Sequence, residues 1–155
     1  MIDKIIEIGQ AMGKSLGKLM YPEVCPLCGE LLDNSNNAQA IENIGGKYVC
    51  NSCRIKLNPI KAPVCLKCGK EIDDEEMDCC SDCAHMVRSF KKGFPAIKYN
   101  SHMSKCLSDF KYHNMRSYGT FLADIIVKQR GKEILMAGPE VIVPVPVHKS
   151  KLKDR

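Results

Sequence analysis

The chain has 155 residues, enough for one ordinary domain or two small ones, and ten of them are cysteines. Cysteine at this frequency is typical of secreted proteins held together by disulfides or of metal-binding proteins in reducing compartments. No apolar run approaches the roughly 20 residues that span a bilayer, which excludes a membrane-spanning helix, and the formal net charge of +5 counts no thiolates.

The N-terminal segment 1–22 is predicted to hold an amphipathic helix over residues 2–20, ended by Pro22. Apolar residues recur on one face at a period of 3.6, with charged residues opposite. This face either packs on the rest of the chain or docks on a membrane surface or a partner. The charges also interrupt any secretory signal, so we expect a cytoplasmic protein with reduced thiols. The apolar face comprises Ile2, Ile5, Ile6, Met12, Leu16, Leu19 and Met20.

Residues 23–88 contain four Cys-x-x-Cys pairs and are predicted to form a double zinc ribbon, with ribbons at 23–58 and 59–88. Pro59 and Pro63 separate the two ribbons. A two-residue gap lets a tight turn direct both sulfurs at one ion, and two such knuckles complete a tetrahedral site. The predicted ligands are Cys25, Cys28, Cys50 and Cys53 in the first site and Cys65, Cys68, Cys80 and Cys83 in the second.

Two Zn²⁺ ions in closed four-cysteine sites are structural, because no coordination position is left for water or substrate. Each ribbon is too small to fold on its own core, so zinc supplies free energy on the order of 10 kcal/mol per site. Each site carries a charge of about −2, which leaves about +1 on the chain. Gly29 and Gly69 follow a ligand where a sharp reversal favours positive φ. Disulfides and an iron site with the same ligands are the alternatives.

The cysteines next to the second site allow two ligand sets. Cys79 precedes Cys80, and either residue could pair with Cys83. We prefer Cys80 because it gives the same two-residue gap as the other three pairs. Cys106 lies on the apolar face of a predicted helix and is assigned to the core. The histidines that could bind metal, disfavoured because eight cysteines already fill two sites, are His85, His102 and His113.

Residues 89–155 differ in character and are predicted to begin an α/β domain. A short strand is expected at 95–99, and a continuous β-branched strand, buried and leading into a rigid loop, at 141–147. Two helical stripes lie between these strands, and the second is predicted to end at Gly131. The stripes comprise Met103, Cys106, Leu107 and Phe110, then Tyr118, Phe121, Leu122, Ile125 and Ile126.

The stretch 88–132 is rich in Lys and Arg, and only Asp109 and Asp124 oppose them. A solvated surface is the simplest interpretation. The alternative is a surface for single-stranded DNA, which aromatic residues among the basic ones support only weakly because most of them lie on helical apolar stripes. The basic residues are Arg88, Lys91, Lys92, Lys98, Lys105, Lys111, Arg116, Lys128, Arg130 and Lys132.

Several segments resemble one family. Segment 21–29 (Tyr-Pro-Glu-Val-Cys-Pro-Leu-Cys-Gly) and the later cysteine pairs resemble the double zinc ribbon of the ComF family, bacterial competence-associated proteins with a phosphoribosyltransferase-like domain. Phe-Lys-Tyr at 110–112 resembles that family's Lys-Tyr element. Val-Pro-Val-Pro-Val-His at 143–148, followed by Lys151 and Arg155, resembles its Val-Pro-Val-Pro-Leu-His segment and the basic residues after it. The resemblance spans essentially the whole chain.

The resemblance implies a role in DNA uptake, in which the ribbons act as a docking module for a protein of the uptake machinery. It also implies a phosphoribosyltransferase-like fold for 89–155, but the family's Gly-Phe-Asn-Gln and phosphate-binding Thr-Thr-Gly motifs are missing. We therefore expect a truncated form with no catalytic residues of its own. Pro144, Pro146, His148 and Arg155 would at most line one side of a site completed elsewhere. The alternative function is a stand-alone zinc-ribbon adaptor that binds nucleic acid or protein.

Overall fold

A computed structural model of the protein describes residues 22–32 and 44–151. The predicted N-terminal helix at 2–20 and Arg155 lie outside the described residues. Within them, no helix is long and apolar enough to cross a membrane, and β-structure is limited to three bridges, Val24–Leu31, Pro59–Ile97 and Val64–Glu71. The helices are α1 (Asn51–Arg54), α2 (Ser81–His85), α3 (Ser101–Tyr112) and α4 (Tyr118–Met136), with 3-10 turns at Gly46–Tyr48 and Lys149–Lys151.

Both ribbons open with the same backbone hairpin. In the first, the amide of Cys25 donates a hydrogen bond of 2.8 Å to the carbonyl of Glu30. In the second, the amide of Cys65 donates to the carbonyl of Lys70, also at 2.8 Å. One β-bridge closes each hairpin beyond these bonds. The repeated cysteine spacing thus corresponds to a repeated backbone conformation.

Helices α3 and α4 form where the sequence carries its two apolar stripes. Asn100 caps α3, and its side-chain oxygen accepts a hydrogen bond of 2.9 Å from the Met103 amide. Helix α4 passes through Gly131, its predicted end, and reaches Met136. A glycine inside a helix costs only about 1 kcal/mol relative to alanine. The helix ends instead just before Gly138, whose φ of 61° is the left-handed conformation that terminates helices.

The hydrophobic core joins the first ribbon to α3 and α4. Phe121 and Cys106 from the two helices are fully buried, as is Val49 from the ribbon. Among the described residues, the second ribbon contributes no member to this cluster. The helices therefore stabilise the first ribbon directly. The buried cluster comprises Cys25, Leu27, Val49, Cys53, Leu57, Met103, Cys106, Tyr118, Phe121 and Ile125.

The predicted strand at 95–99 forms a single β-bridge instead of joining a sheet. It connects the link between the ribbons to the helical part, because the amide of Lys98 donates to the carbonyl of Asn58 at 2.7 Å. Just before it, the amide of Gly93 donates to the carbonyl of Lys67 in the second ribbon at 2.8 Å. The segment therefore fastens the second ribbon to the linker and α4. Further bonds run from Arg130 Nε to the carbonyl of Pro95 and from Lys98 Nζ to the carboxylate of Glu71.

The structure contradicts the predicted buried strand at 141–147. Ile142 and Val145 are each 89% exposed, and the segment forms no ladder with any other described residue. A β-branched composition favours a strand, but a strand also requires neighbours that satisfy its backbone groups. The part of the chain that the structure describes supplies none, so the predicted α/β sheet does not form there.

Candidate metal centre

The first four predicted ligands converge where the two turns of the first ribbon meet. The Sγ atoms of Cys25, Cys28, Cys50 and Cys53 all lie within 4.8 Å of one another. The sulfurs of Cys28 and Cys50 are 3.7 Å apart. This distance matches the edge, about 3.8 Å, of a sulfur tetrahedron around zinc with Zn–S bonds of about 2.3 Å. It is far longer than a disulfide bond of about 2.05 Å, so the group fits a zinc ion.

The second site has the same arrangement. The Sγ atoms of Cys65, Cys68, Cys80 and Cys83 lie within 4.8 Å of one another, and those of Cys68 and Cys80 are 3.6 Å apart. Cys80, and not Cys79, is the residue that joins this group. The two groups confirm the prediction of two zinc ions, because each provides four thiols at the separations that tetrahedral zinc requires.

One half of each site is a turn closed by a glycine. The amide of Gly29 donates to the carbonyl of Cys25, and that of Gly69 to the carbonyl of Cys65, both at 2.8 Å. The glycines have φ values of 81° and 74°. A residue with a Cβ atom is strained in this region of backbone conformation. The predicted positive φ after the second cysteine of the turn is therefore confirmed in both ribbons.

The other half of each site is the start of a short helix. Cys50 precedes α1 with φ −65° and ψ 158°, and Cys80 precedes α2 with φ −67° and ψ 160°. The amides of Cys53 and Cys83 donate back to the carbonyls of Cys50 and Cys80 at 3.1 and 3.0 Å. One helical turn thus brings both sulfurs of the pair to the same side. The sequence analysis missed both helices, since helices of four and five residues are too short to show a period.

The second site favours a thiolate at Cys65. Burial raises the pKa of Cys65, but hydrogen bonds from the backbone amides of Cys68, Cys80 and Lys67 outweigh burial and lower this pKa to about 5. Burial and hydrogen bonds with neighbouring thiols raise the pKa of Cys83 to about 12. Four clustered thiols therefore do not all ionise by themselves. A divalent cation supplies the charge that lets each of them bind as a thiolate, with release of protons.

The first site lies partly in the core and partly at the surface. Cys25 and Cys53 are buried in the hydrophobic cluster, whereas Cys28 is exposed. Burial raises the pKa of Cys50, but hydrogen bonds from the Ser52 hydroxyl, 3.2 Å away, and from the amide of Cys53 outweigh it and lower this pKa to about 7. Burial raises the pKa of Cys28. The buried cysteines link the zinc site to helix packing.

The remaining predicted candidates lie outside the two groups. Cys106 is fully buried in the core, where burial raises its pKa to about 11. Nδ1 of His85 is 2.7 Å from the carbonyl oxygen of Ser81. No histidine belongs to either four-cysteine group within the described ranges. Since four sulfurs fill a tetrahedral shell, both sites are structural and have no open position for chemistry.

Gly93 is a residue that supports the second site and that the sequence analysis did not single out. A Cβ atom on Gly93 would lie 2.6 Å from the carbonyl oxygen of Cys68. Only a glycine allows the chain after the second ribbon to approach the metal-binding turn so closely. The sequence shows this glycine only as part of a Lys-Lys-Gly-Phe-Pro segment. Nothing in that pattern indicates that Gly93 contacts the backbone of Cys68.

Comparison with known families agrees with this geometry. A family model described as a double zinc ribbon domain matches residues 16–84, which contain all eight cysteines of the two groups and less than half of the chain. No ComF or phosphoribosyltransferase-like family model matches. No curated protein and no solved structure matches the chain. Residues 16–84 therefore carry a double zinc ribbon domain, and the resemblance to ComF proteins has no support from a family match.

Proposed function

We propose that the protein is a docking module, in which two structural zinc ions hold a scaffold and a partner protein binds its exposed apolar surface. In line with the resemblance to ComF proteins, this partner belongs to a DNA-uptake apparatus. Four sulfur ligands per site leave no position for a substrate, so the module works by binding. His148 and the prolines before it do not act as a catalytic group of their own.

The observation that carries the proposal is an apolar surface at the end of α4 and in the segment after it. Leu135 is 79% exposed and Ile142 is 89% exposed. Single exposed apolar residues are ordinary, whereas a run of them is typical of a surface that binds another protein. We define the apolar surface as Leu135, Val141, Ile142, Val143 and Val145, all of which are exposed.

The backbone of segment 141–147 also suits partner binding. The segment is exposed and unpaired among the described residues, and residues that precede a proline favour an extended backbone. Such a segment can add a strand to the edge of a partner's sheet, with affinity coming from main-chain hydrogen bonds. Pro144 and Pro146 have no N–H groups, and alternate residues of a strand face the same edge. The prolines therefore block one edge only. The other edge keeps the N–H groups of Val143, Val145 and Val147 for pairing.

Site-specific photocrosslinking in the host cell tests the proposal. A photoreactive amino acid at Ile142 is expected to crosslink one protein of the DNA-uptake apparatus. The same amino acid at Ile55, which is 83% exposed beside the first zinc site, serves as the control. Equal crosslinking from both positions, or none from Ile142, would contradict the proposal. A crosslinked protein unrelated to DNA uptake would favour the stand-alone adaptor instead.

The absence of catalysis is tested separately, by titrating phosphoribosyl pyrophosphate into the zinc-loaded protein. We expect no binding at micromolar concentrations, since His148 is exposed and its Nδ1 lies 2.8 Å from the hydroxyl of Ser150. A phosphate-binding site requires several converging backbone amides, usually at a helix N-terminus. Calorimetric binding of the sugar phosphate at micromolar affinity would show that a transferase-like site exists.

A further inference from the structure

The loop at residues 86–94, between α2 and the segment 95–99, carries basic residues interspersed with phenylalanines. We infer that this loop, together with Lys67 of the second ribbon, binds single-stranded nucleic acid. We call these residues the basic–aromatic surface. The inference does not rest on the proposed docking function, and its test uses residues outside the apolar surface.

Each phenylalanine of the basic–aromatic surface stands beside a lysine. Lys67 Nζ lies 5.7 Å from the centroid of the Phe90 ring, and Lys92 Nζ lies 5.5 Å from that of Phe94. Phe90 is 41% exposed. Aromatic rings give bases a surface on which to stack, and neighbouring cations bind the phosphates between them. The pairs therefore combine the two contacts that a single strand requires, and the sequence analysis overlooked both phenylalanines.

The second zinc site holds the loop in place. The amide of Gly93 donates to the carbonyl of Lys67 inside the Cys65–Cys68 turn, and Gly93 itself lies against the backbone of Cys68. One end of the loop is thus fixed to the metal-binding turn. This anchoring lowers the entropy lost on binding, which is the general advantage of a preorganised surface.

The charge balance of the stretch 88–132 leaves cations in the loop available to a ligand. Pairing with carboxylates offsets five of its ten cations: Lys92, Lys98, Lys105, Lys128 and Arg130.

Arg88 and Lys91 have no carboxylate partner among the described residues, and Lys67 faces a ring. Glu133 is a carboxylate beside the surface, and it contacts both Lys92 and Arg130. Two of the five unpaired cations of the stretch, Arg88 and Lys91, therefore lie in this loop, near the exposed Phe90 ring.

A cavity of about 520 Å³ adjoins the loop, lined in part by Lys91, Lys92 and Phe94. Its size lies within the range of small-ligand sites, so it can receive an unstacked base. The bases of a duplex are stacked on one another and cannot reach such a cavity or the Phe90 ring. The basic–aromatic surface is therefore expected to prefer single strands over duplexes.

Fluorescence anisotropy tests the inference. The zinc-loaded full chain is titrated into labelled oligothymidine of about 15 nucleotides, a length near the upper site size of a small single-strand-binding fold. We expect binding that weakens as salt rises from about 50 to 200 mM. Phe90→Ala should weaken binding by about tenfold, since one stacked base is lost. Lys91→Gln should reduce the salt slope by about 0.7, the contribution of one phosphate contact.

Lys111→Gln is the matched control, because it removes an exposed cation of the same stretch from α3, away from the loop. It should change the affinity less than twofold. Unchanged zinc content in each variant verifies the fold. The inference is overturned by no binding at low salt, or by equal losses of affinity in the Phe90 and Lys111 variants. It is also overturned if a duplex binds as tightly as the single strand, or if polyglutamate displaces the labelled oligonucleotide as well as unlabelled oligothymidine does.

Discussion

Gly69 packs against Pro95 so closely that a Cβ atom on Gly69 would lie 2.4 Å from Cδ of Pro95. The same atom would lie 2.9 Å from the carbonyl oxygen of Gly93. Gly29, its counterpart in the first ribbon, has a similar positive φ but no atom within 4 Å of such a Cβ. The two turns are alike in backbone conformation and different in tertiary surroundings.

This difference predicts unequal effects of two identical substitutions. Gly29→Ala should cost about 1–2 kcal/mol of unfolding free energy, the penalty for a left-handed residue with a side chain. Gly69→Ala should cost a further 1–3 kcal/mol or so, because the backbone and proline ring must move. Denaturant unfolding of the zinc-loaded proteins measures both values. Equal destabilisation would show that Gly69 does not contact the segment at 93–95.

The ligand choice in the second site predicts a difference in zinc content between two neighbouring cysteines. Cys80→Ser should reduce the bound zinc from two ions to one, because Cys80 Sγ belongs to the four-sulfur group. Cys79→Ser should leave two ions bound. Native mass spectrometry counts the ions directly. Loss of zinc from the Cys79 variant together with retention in the Cys80 variant would reverse the assignment.

Packing of the first site on the helices predicts that a core substitution weakens zinc binding. Phe121 is fully buried in the cluster that contains Cys25 and Cys53. Phe121→Ala should cost about 3–5 kcal/mol of unfolding free energy and lower the zinc affinity of the first site. A chelator competition measures that affinity in a Cys83→Ser background, which removes the second site.

Val127→Ala on the exposed side of the same helix is the control for this experiment and should change stability by less than about 0.5 kcal/mol. If the Phe121 variant loses stability but binds zinc at the first site with unchanged affinity, the core and the metal site are not coupled.

Burial of Cys106 predicts a pH-dependent resistance to alkylation. Its pKa is raised to about 11 by burial and, to a smaller extent, by Asp109. At pH 8 the reactive thiolate is therefore about one part in a thousand, and this fraction rises about tenfold per pH unit up to the pKa. Iodoacetamide should modify half-buried Cys79 faster than Cys106 in the zinc-loaded protein. Peptide mass spectrometry would contradict this if Cys106 reacted at the same rate at pH 8.

The sequence by itself determined the metal sites and the two long helices, α3 and α4. Four Cys-x-x-Cys pairs bring sulfurs together through local turns, so the spacing predicted both zinc ions and the positive φ of Gly29 and Gly69. The stripes around Met103 and Phe121 predicted α3 and α4, because a period of 3.6 is a property of one element. The zinc-ribbon match at residues 16–84 covers the cysteine pairs but not α3 and α4, and the ComF resemblance extends to a role that is still a proposal.

Only the tertiary structure decided which surfaces are covered. Local pattern placed Ile142 in a buried strand, but burial depends on neighbours that a pattern of one segment does not specify. The contact of Gly69 with Pro95, the pairing of Lys98 with Glu71 and the sharing of Phe121 between a helix and a zinc site all join residues distant in sequence. Such contacts depend on how elements pack, and packing is not encoded in the spacing of a motif.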